Sequence, residues 1–175
     1  MKKEIKEKKR NIAKNTLSFT CSKAMKFIRT PPDIWKIVKE KMDYHGIKLT
    51  IDVCASDINH LLPRYYTEKE NGLEKNWDGE VVWCHPMFDS KIGKWVERAF
   101  NSKAIVVMLL PAATHTRYFH RFIYKNPKCQ VEFLEKPVRG WDFGTEEGQF
   151  EIPKGKVGYI KPLMIVVFNN LANKT

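Results

Sequence analysis

Four short strand-like runs restrict the architectures open to this chain: Leu49 to Cys54, Val81 to Cys84, Ala104 to Leu110 and Leu163 to Phe168. Between them lie segments of helical spacing. Ile34, Trp35, Ile37, Val38 and Met42 follow Thr30-Pro31-Pro32-Asp33. There threonine suits an N-cap, proline the first turn and the acid the positive end of the helix dipole. Gly46 suits the end of that helix. Ile92, Trp95, Val96, Ala99 and Phe100 mark a second amphipathic helix, residues 115–125 suit a third, and Val131 to Leu134 a further strand. Strands alternating with helices predict an α/β fold with a mostly parallel central sheet and helices on both faces.

A chain of 175 residues, 43% of them hydrophobic, suits one domain with a sizeable core. Residues 1–26 read as a basic N-terminal arm and 27–175 as the folded domain. The net charge is +11, from 31 Lys and Arg against 20 Asp and Glu. That excess favours a polyanionic partner, nucleic acid being the commonest, although a lysine-rich proteome yields the same balance without any binding role. Cys21, Cys54, Cys84 and Cys129 are widely spaced, with no Cys-x-x-Cys pair. Reduced thiols in a cytoplasm are therefore the expectation, rather than a disulfide framework or a zinc ribbon. The first residues have no apolar signal-peptide core, and the run Ala104 to Leu110 is too short to span a bilayer. These features predict a soluble intracellular protein with no membrane partner; its oligomeric state is not legible.

Two clusters carry candidate chemistry. In Val81-Val82-Trp83-Cys84-His85-Pro86-Met87-Phe88 a strand stops at a polar residue, followed by a proline and an aromatic. Ligands in α/β enzymes sit beyond the carboxyl ends of strands. A neutral His85 imidazole offers one acceptor, the Pro86 carbonyl another, and Phe88 a stacking face for a planar base. An ordinary strand and proline turn would produce the same string. Asp52 lies just inside a second strand end, beside the small residues Cys54, Ala55 and Ser56. A carboxylate there accepts hydrogen bonds from ribose hydroxyls or an ammonium; a turn aspartate is the alternative. Glycine-rich phosphate loops, a nucleophile elbow and zinc- or iron-ligand spacing are all absent, His115 and His120 being five apart, so no metal is expected. Arg117-Tyr118-Phe119 and Arg139-Gly140-Trp141 interleave guanidinium with aromatic, a combination suited to phosphate and base contact. Core packing of Phe119 and Trp141 is the other reading.

Several pieces, in order, resemble the phage-type DNA adenine methyltransferases (the Dam family of phages and prophages). They are Thr30-Pro31-Pro32, Asp52-Val53-Cys54-Ala55-Ser56, Arg64-Tyr65-Tyr66-Thr67, Gly72-Leu73 and Trp77. Val82-Trp83-Cys84-His85-Pro86, Ile92-Gly93-Lys94-Trp95-Val96, Met108-Leu109-Leu110-Pro111-Ala112 and Val166-Val167-Phe168 follow, so the likeness extends over roughly residues 27–169. It implies a single-domain Rossmann-like (class I) methyltransferase fold, S-adenosyl-L-methionine as cofactor, and adenine in DNA as acceptor. By position, Thr30, Pro31, Asp52 and Ala55 would line the cofactor site. The family's Asn/Asp-Pro-Pro-Tyr/Phe tetrapeptide falls on His85-Pro86-Met87-Phe88, which implies His85, Pro86 and Phe88 as catalytic residues; Met87, Arg64 and Arg117 are the candidate substrate-binding residues. The departures are His85 for Asn or Asp and Met87 for the second proline. They leave open an alternative: a catalytically impaired or silent methyltransferase-fold protein that binds DNA or cofactor.

Overall fold

The computed structural model describes residues 30–135, 143–145, 148–150 and 162–171. The basic arm, Cys21, Arg139-Gly140-Trp141 and the lysine-rich loop 153–161 lie outside the described residues. The elements, in order, are α1 (Pro32–Tyr44), β1 (Ile51–Asp52), β2 (Val81–Cys84), α2 (Ile92–Asn101), β3 (Ile105–Pro111), a π-helical turn (Phe119–Ile123), β4 (Cys129–Phe133), β5 (Phe143–Thr145), β6 (Gly148–Phe150) and β7 (Leu163–Asn169).

Five strands form one sheet in the order β1-β2-β3-β7-β4, and β5 and β6 pair separately. β1, β2 and β3 are parallel, whereas β7 runs antiparallel to both β3 and β4. The expected mostly parallel sheet is therefore a mixed one, parallel at one end. Phe133 of β4 pairs with Met164 of β7, so the chain returns at the end where β4 finished. A strand that starts beside the end of its neighbour runs antiparallel to it and needs no crossover. Buried apolar composition specifies the strand and not its direction.

β3 shows why the sheet holds. Val106, Val107, Met108, Leu109 and Leu110 are all fully buried, and their side chains point alternately to two cores. On one face Val106, Met108 and Leu110 join Val82, Cys84, Met164, Val166 and Phe168, covered by Ile92, Val96 and Ala99 of α2. On the other, Val107 and Leu109 join Trp83, Leu163, Ile165 and Val167, covered by Ile34, Val38 and Met42 of α1. Helices thus cover both faces, as expected. The Lys41 ammonium of α1 pairs with the Glu132 carboxylate of β4 and ties that helix across the sheet edge.

Three local expectations change. Pro31, not Thr30, occupies the N-cap position of α1, and no side chain caps the helix there. The segment 115–125 closes as a π-helical turn; Phe119 and Ile123 are buried in it. The strand expected over Leu49 to Cys54 shortens to two residues, although the N–H groups of Thr50 and Val53 still donate to the Val81 and Trp83 carbonyls of β2, at 2.8 and 3.0 Å; on its other edge the Asp52 N–H donates to the Arg64 carbonyl at 3.0 Å.

The connection between β1 and β2 carries two 3-10 turns, Glu68–Glu70 and Gly72–Glu74. Trp77, fully buried, donates from Nε1 to the Gly72 carbonyl at 2.9 Å and stacks on Trp95. Gly72 lies so close to β1 that a Cβ would sit 2.2 Å from the Val53 carbonyl oxygen. Backbone oxygen cannot rotate aside, so Gly72→Ala must push the loop off the strand end. Overpacking of this kind costs roughly 1–3 kcal/mol, and a lower urea midpoint at unchanged slope is the expected result.

Candidate active site

Asp52 and His85 line one hollow because their strands are adjacent and parallel. Asp52 pairs in register with Trp83, and the Val53 N–H donates to the Trp83 carbonyl at 3.0 Å, so β1 and β2 finish side by side at their carboxyl ends. Pro86 stops β2, and a residue that precedes proline is held extended. His85 therefore stands beyond the strand end instead of turning into a helix; α2 begins only at Ile92. Thr30, Asp52, Cys54, Asn59, Leu61, Trp83 and His85 line a small polar hollow there.

Asp52 is 4% exposed. Its Oδ1 accepts from the Cys54 N–H and its Oδ2 from the Leu61 N–H, both at 3.2 Å. Among the described residues it makes no ion pair. Burial pushes its pKa up from 3.8 to about 6, against the two backbone donors and the more distant His60. His85 is partly buried, and loss of water around its ring pushes its pKa down to about 3. Its Nδ1 lies 2.9 Å from Thr30 Oγ1. Its ring is 5.3 Å from the Phe88 ring at a tilt of 53°, and 6.4 Å from that of Trp83.

These shifts act in opposite directions on stability. The folded state holds the Asp52 proton more tightly than the unfolded chain does, so this group lowers stability as pH rises from about 4 to about 6, by on the order of 3 kcal/mol. For His85 the unfolded chain takes up the proton first, so stability is lost as pH falls from 6.5 toward about 3. Asp52→Asn removes only the first slope. The unfolding free energy of that variant should rise with pH more steeply than wild type between about 4 and about 6; parallel curves would contradict the assignment.

Of the four cofactor candidates, Thr30 and Asp52 line the hollow. Pro31 is buried at the start of α1, and Ala55 pairs its N–H with the Tyr66 carbonyl at 3.0 Å; neither lines it. Phe88 packs against both cores while keeping part of its surface open, Pro86 is buried, and Met87 is exposed. Among the described residues no backbone hydrogen bond ends on the Pro86 carbonyl. Arg64 is exposed, and its guanidinium binds Glu80 through both nitrogens, at 2.8 and 3.1 Å. Arg117 is exposed just before the π-helical turn and does not line the hollow.

Sequence reasoning missed Cys54, Asn59, Leu61 and Trp83 as lining residues. Cys54 and Cys84 come within 3.6 Å, sulfur to sulfur, as free thiols. Aligning the ends of two adjacent parallel strands would have found that pair; nothing in the irregular loop marks Leu61 as a donor to Asp52. Among the described residues no helix is long and apolar enough to cross a membrane, and no three His, Cys, Asp or Glu side chains gather as a metal site.

The sequence profile of the family described as DNA N-6-adenine-methyltransferase (Dam) matches residues 18–135. A DNA N-6-adenine-methyltransferase of Haemophilus phage HP1 (strain HP1c1) is 28% identical over 140 residues, 77% of this chain and 75% of the relative. The match takes in Asp52, the hollow and the His85-Pro86-Met87-Phe88 segment, and on that extent the chain belongs to the DNA N-6-adenine-methyltransferase (Dam) family.

Proposed function

We propose that the chain transfers a methyl group from S-adenosyl-L-methionine to the exocyclic amine of adenine in DNA, using a single-domain Rossmann-like fold. The observation that carries this reading is a buried carboxylate that makes no ion pair among the described residues, sharing one hollow at the ends of two parallel strands with a histidine whose pKa burial lowers. Asp52 fits a cofactor with ribose hydroxyls and positive charge: its buried oxygens are acceptors, and a cation nearby would offset the cost of keeping it ionised. Thr30 and Leu61 close the same hollow. S-adenosyl-L-methionine would supply the methyl group from its sulfonium, which leaves as a neutral thioether.

The remaining work falls to the chain's own side chains. The amine of adenine is sequestered in the duplex, so the base must be extruded. The exposed part of Phe88 offers it a stacking face, with Met87 beside it. His85 and the Pro86 carbonyl would accept the two amine N–H bonds and aim the nitrogen lone pair at the methyl carbon, the surplus proton passing to solvent. A charged imidazole could not do this, and burial keeps the ring neutral at pH 7. The net charge of +11 supports attraction to phosphates, with Arg64 and Arg117 as candidate contacts.

Isothermal titration with S-adenosyl-L-methionine, followed by tritium transfer to adenine-containing DNA, tests the proposal. Binding together with label in the DNA supports it; binding without label excludes methylation. His85 and Met87, where the family pattern has Asn or Asp and Pro, favour a second reading in which the fold binds but does not transfer. Restoring His85→Asn with Met87→Pro separates the two. Activity gained from none supports the silent protein, and activity lost supports a motif adapted to its own substrate.

A further inference from the structure

Thr30 and His85 stand 55 positions apart in sequence, yet Thr30 Oγ1 lies 2.9 Å from His85 Nδ1. A neutral imidazole has one N–H and one lone pair, so the part Nδ1 plays in this contact decides what Nε2 offers. If the threonine hydroxyl donates to Nδ1, Nε2 carries the proton and is a donor. If Nδ1–H donates to the threonine oxygen, Nε2 is an acceptor. An exocyclic amine turns N–H bonds toward its cradle, and only the second arrangement receives them.

Resting on the methyl-transfer reading, we propose that Thr30 is a positioning residue: its hydroxyl oxygen accepts the His85 Nδ1–H bond and holds the ring in the tautomer whose Nε2 accepts from the target amine. Threonine is thereby what lets a histidine serve where an asparagine or aspartate oxygen would otherwise do so.

Three features support it. Thr30 is buried, at 9% exposure, so water does not readily replace this contact, and its hydroxyl does not cap α1. Both partners are held by the proline that follows them, Pro31 and Pro86, which restricts the preceding residue to extended backbone. The doubly protonated ring, with two donors and no acceptor, is excluded at neutral pH by burial.

The test uses the full chain labelled with 15N-histidine. Long-range proton–nitrogen correlation reports which ring nitrogen carries the proton, and the His85 signals are those lost in His85→Gln. The Nδ1–H pattern is expected in wild type. Thr30→Val, similar in shape but without the hydroxyl, should shift His85 toward the other tautomer. It should also lower kcat about tenfold or more, the scale of losing an outer partner that orients a reacting group. Thr30→Ser should restore both readouts, which guards against a folding defect in the valine variant. An Nε2–H pattern in wild type overturns the proposal, as does a valine variant with unaltered tautomer and kcat. A wild-type chain inactive on DNA would sink the methyl-transfer reading instead, and the tautomer pattern would still decide the part of Thr30.

Discussion

Asp52→Asn is expected to weaken S-adenosyl-L-methionine binding by about tenfold to a hundredfold, the range for hydrogen bonds to a charged group, while the chain stays folded. The substitution keeps the size of the side chain and one acceptor oxygen, so the N–H groups of Cys54 and Leu61 lose at most one of their partners. It removes a charge that burial makes costly, so no large loss of stability accompanies it. A residue whose task is structural would behave in the reverse manner, with stability falling and affinity falling only as the chain unfolds. Titration calorimetry beside urea unfolding of the same preparation separates the two. Wild-type affinity in this variant would remove Asp52 from the cofactor site.

His85→Ala is expected to lower the rate of methyl transfer about a hundredfold or more, the usual scale for one preorganised polar contact at a reacting centre. The loss should fall on the rate of the chemical step in a single-turnover experiment rather than on cofactor binding. His85 borders the hollow but belongs to β2's end, next to the Phe88 ring, whereas the carboxylate assigned to the cofactor lies on β1. His85→Asn, which restores a side-chain carbonyl acceptor, should retain more activity than the alanine variant. Equal rates in the two variants would mean that the imidazole contributes no acceptor.

β2, β3 and β7 were legible because they are buried on both faces and read as unbroken apolar runs; Val81–Cys84 falls where its valines, tryptophan and cysteine put it. Asp52 was legible for a related reason, as a carboxylate at the end of such a run. What stayed hidden were contacts made across long stretches of sequence. Thr30 reads locally as a cap, yet Pro31 takes that position and the threonine hydroxyl turns to His85. The Leu61 N–H reaches Asp52 from a loop without periodicity. Direction was hidden too, since Leu163–Asn169 would be as apolar in a parallel strand as in the antiparallel one it forms. The π-helical turn at Phe119–Ile123 stands where a helix was expected over 115–125, with a different hydrogen-bond pattern.

The most direct measurement is the identity of the product. Duplex DNA incubated with the chain and methyl-labelled S-adenosyl-L-methionine, then digested to nucleosides and separated by mass spectrometry, should yield labelled N6-methyldeoxyadenosine. The yield should fall in both Asp52→Asn and His85→Ala. Label on a cytosine, or unmodified DNA from a chain that binds the cofactor, would contradict the account.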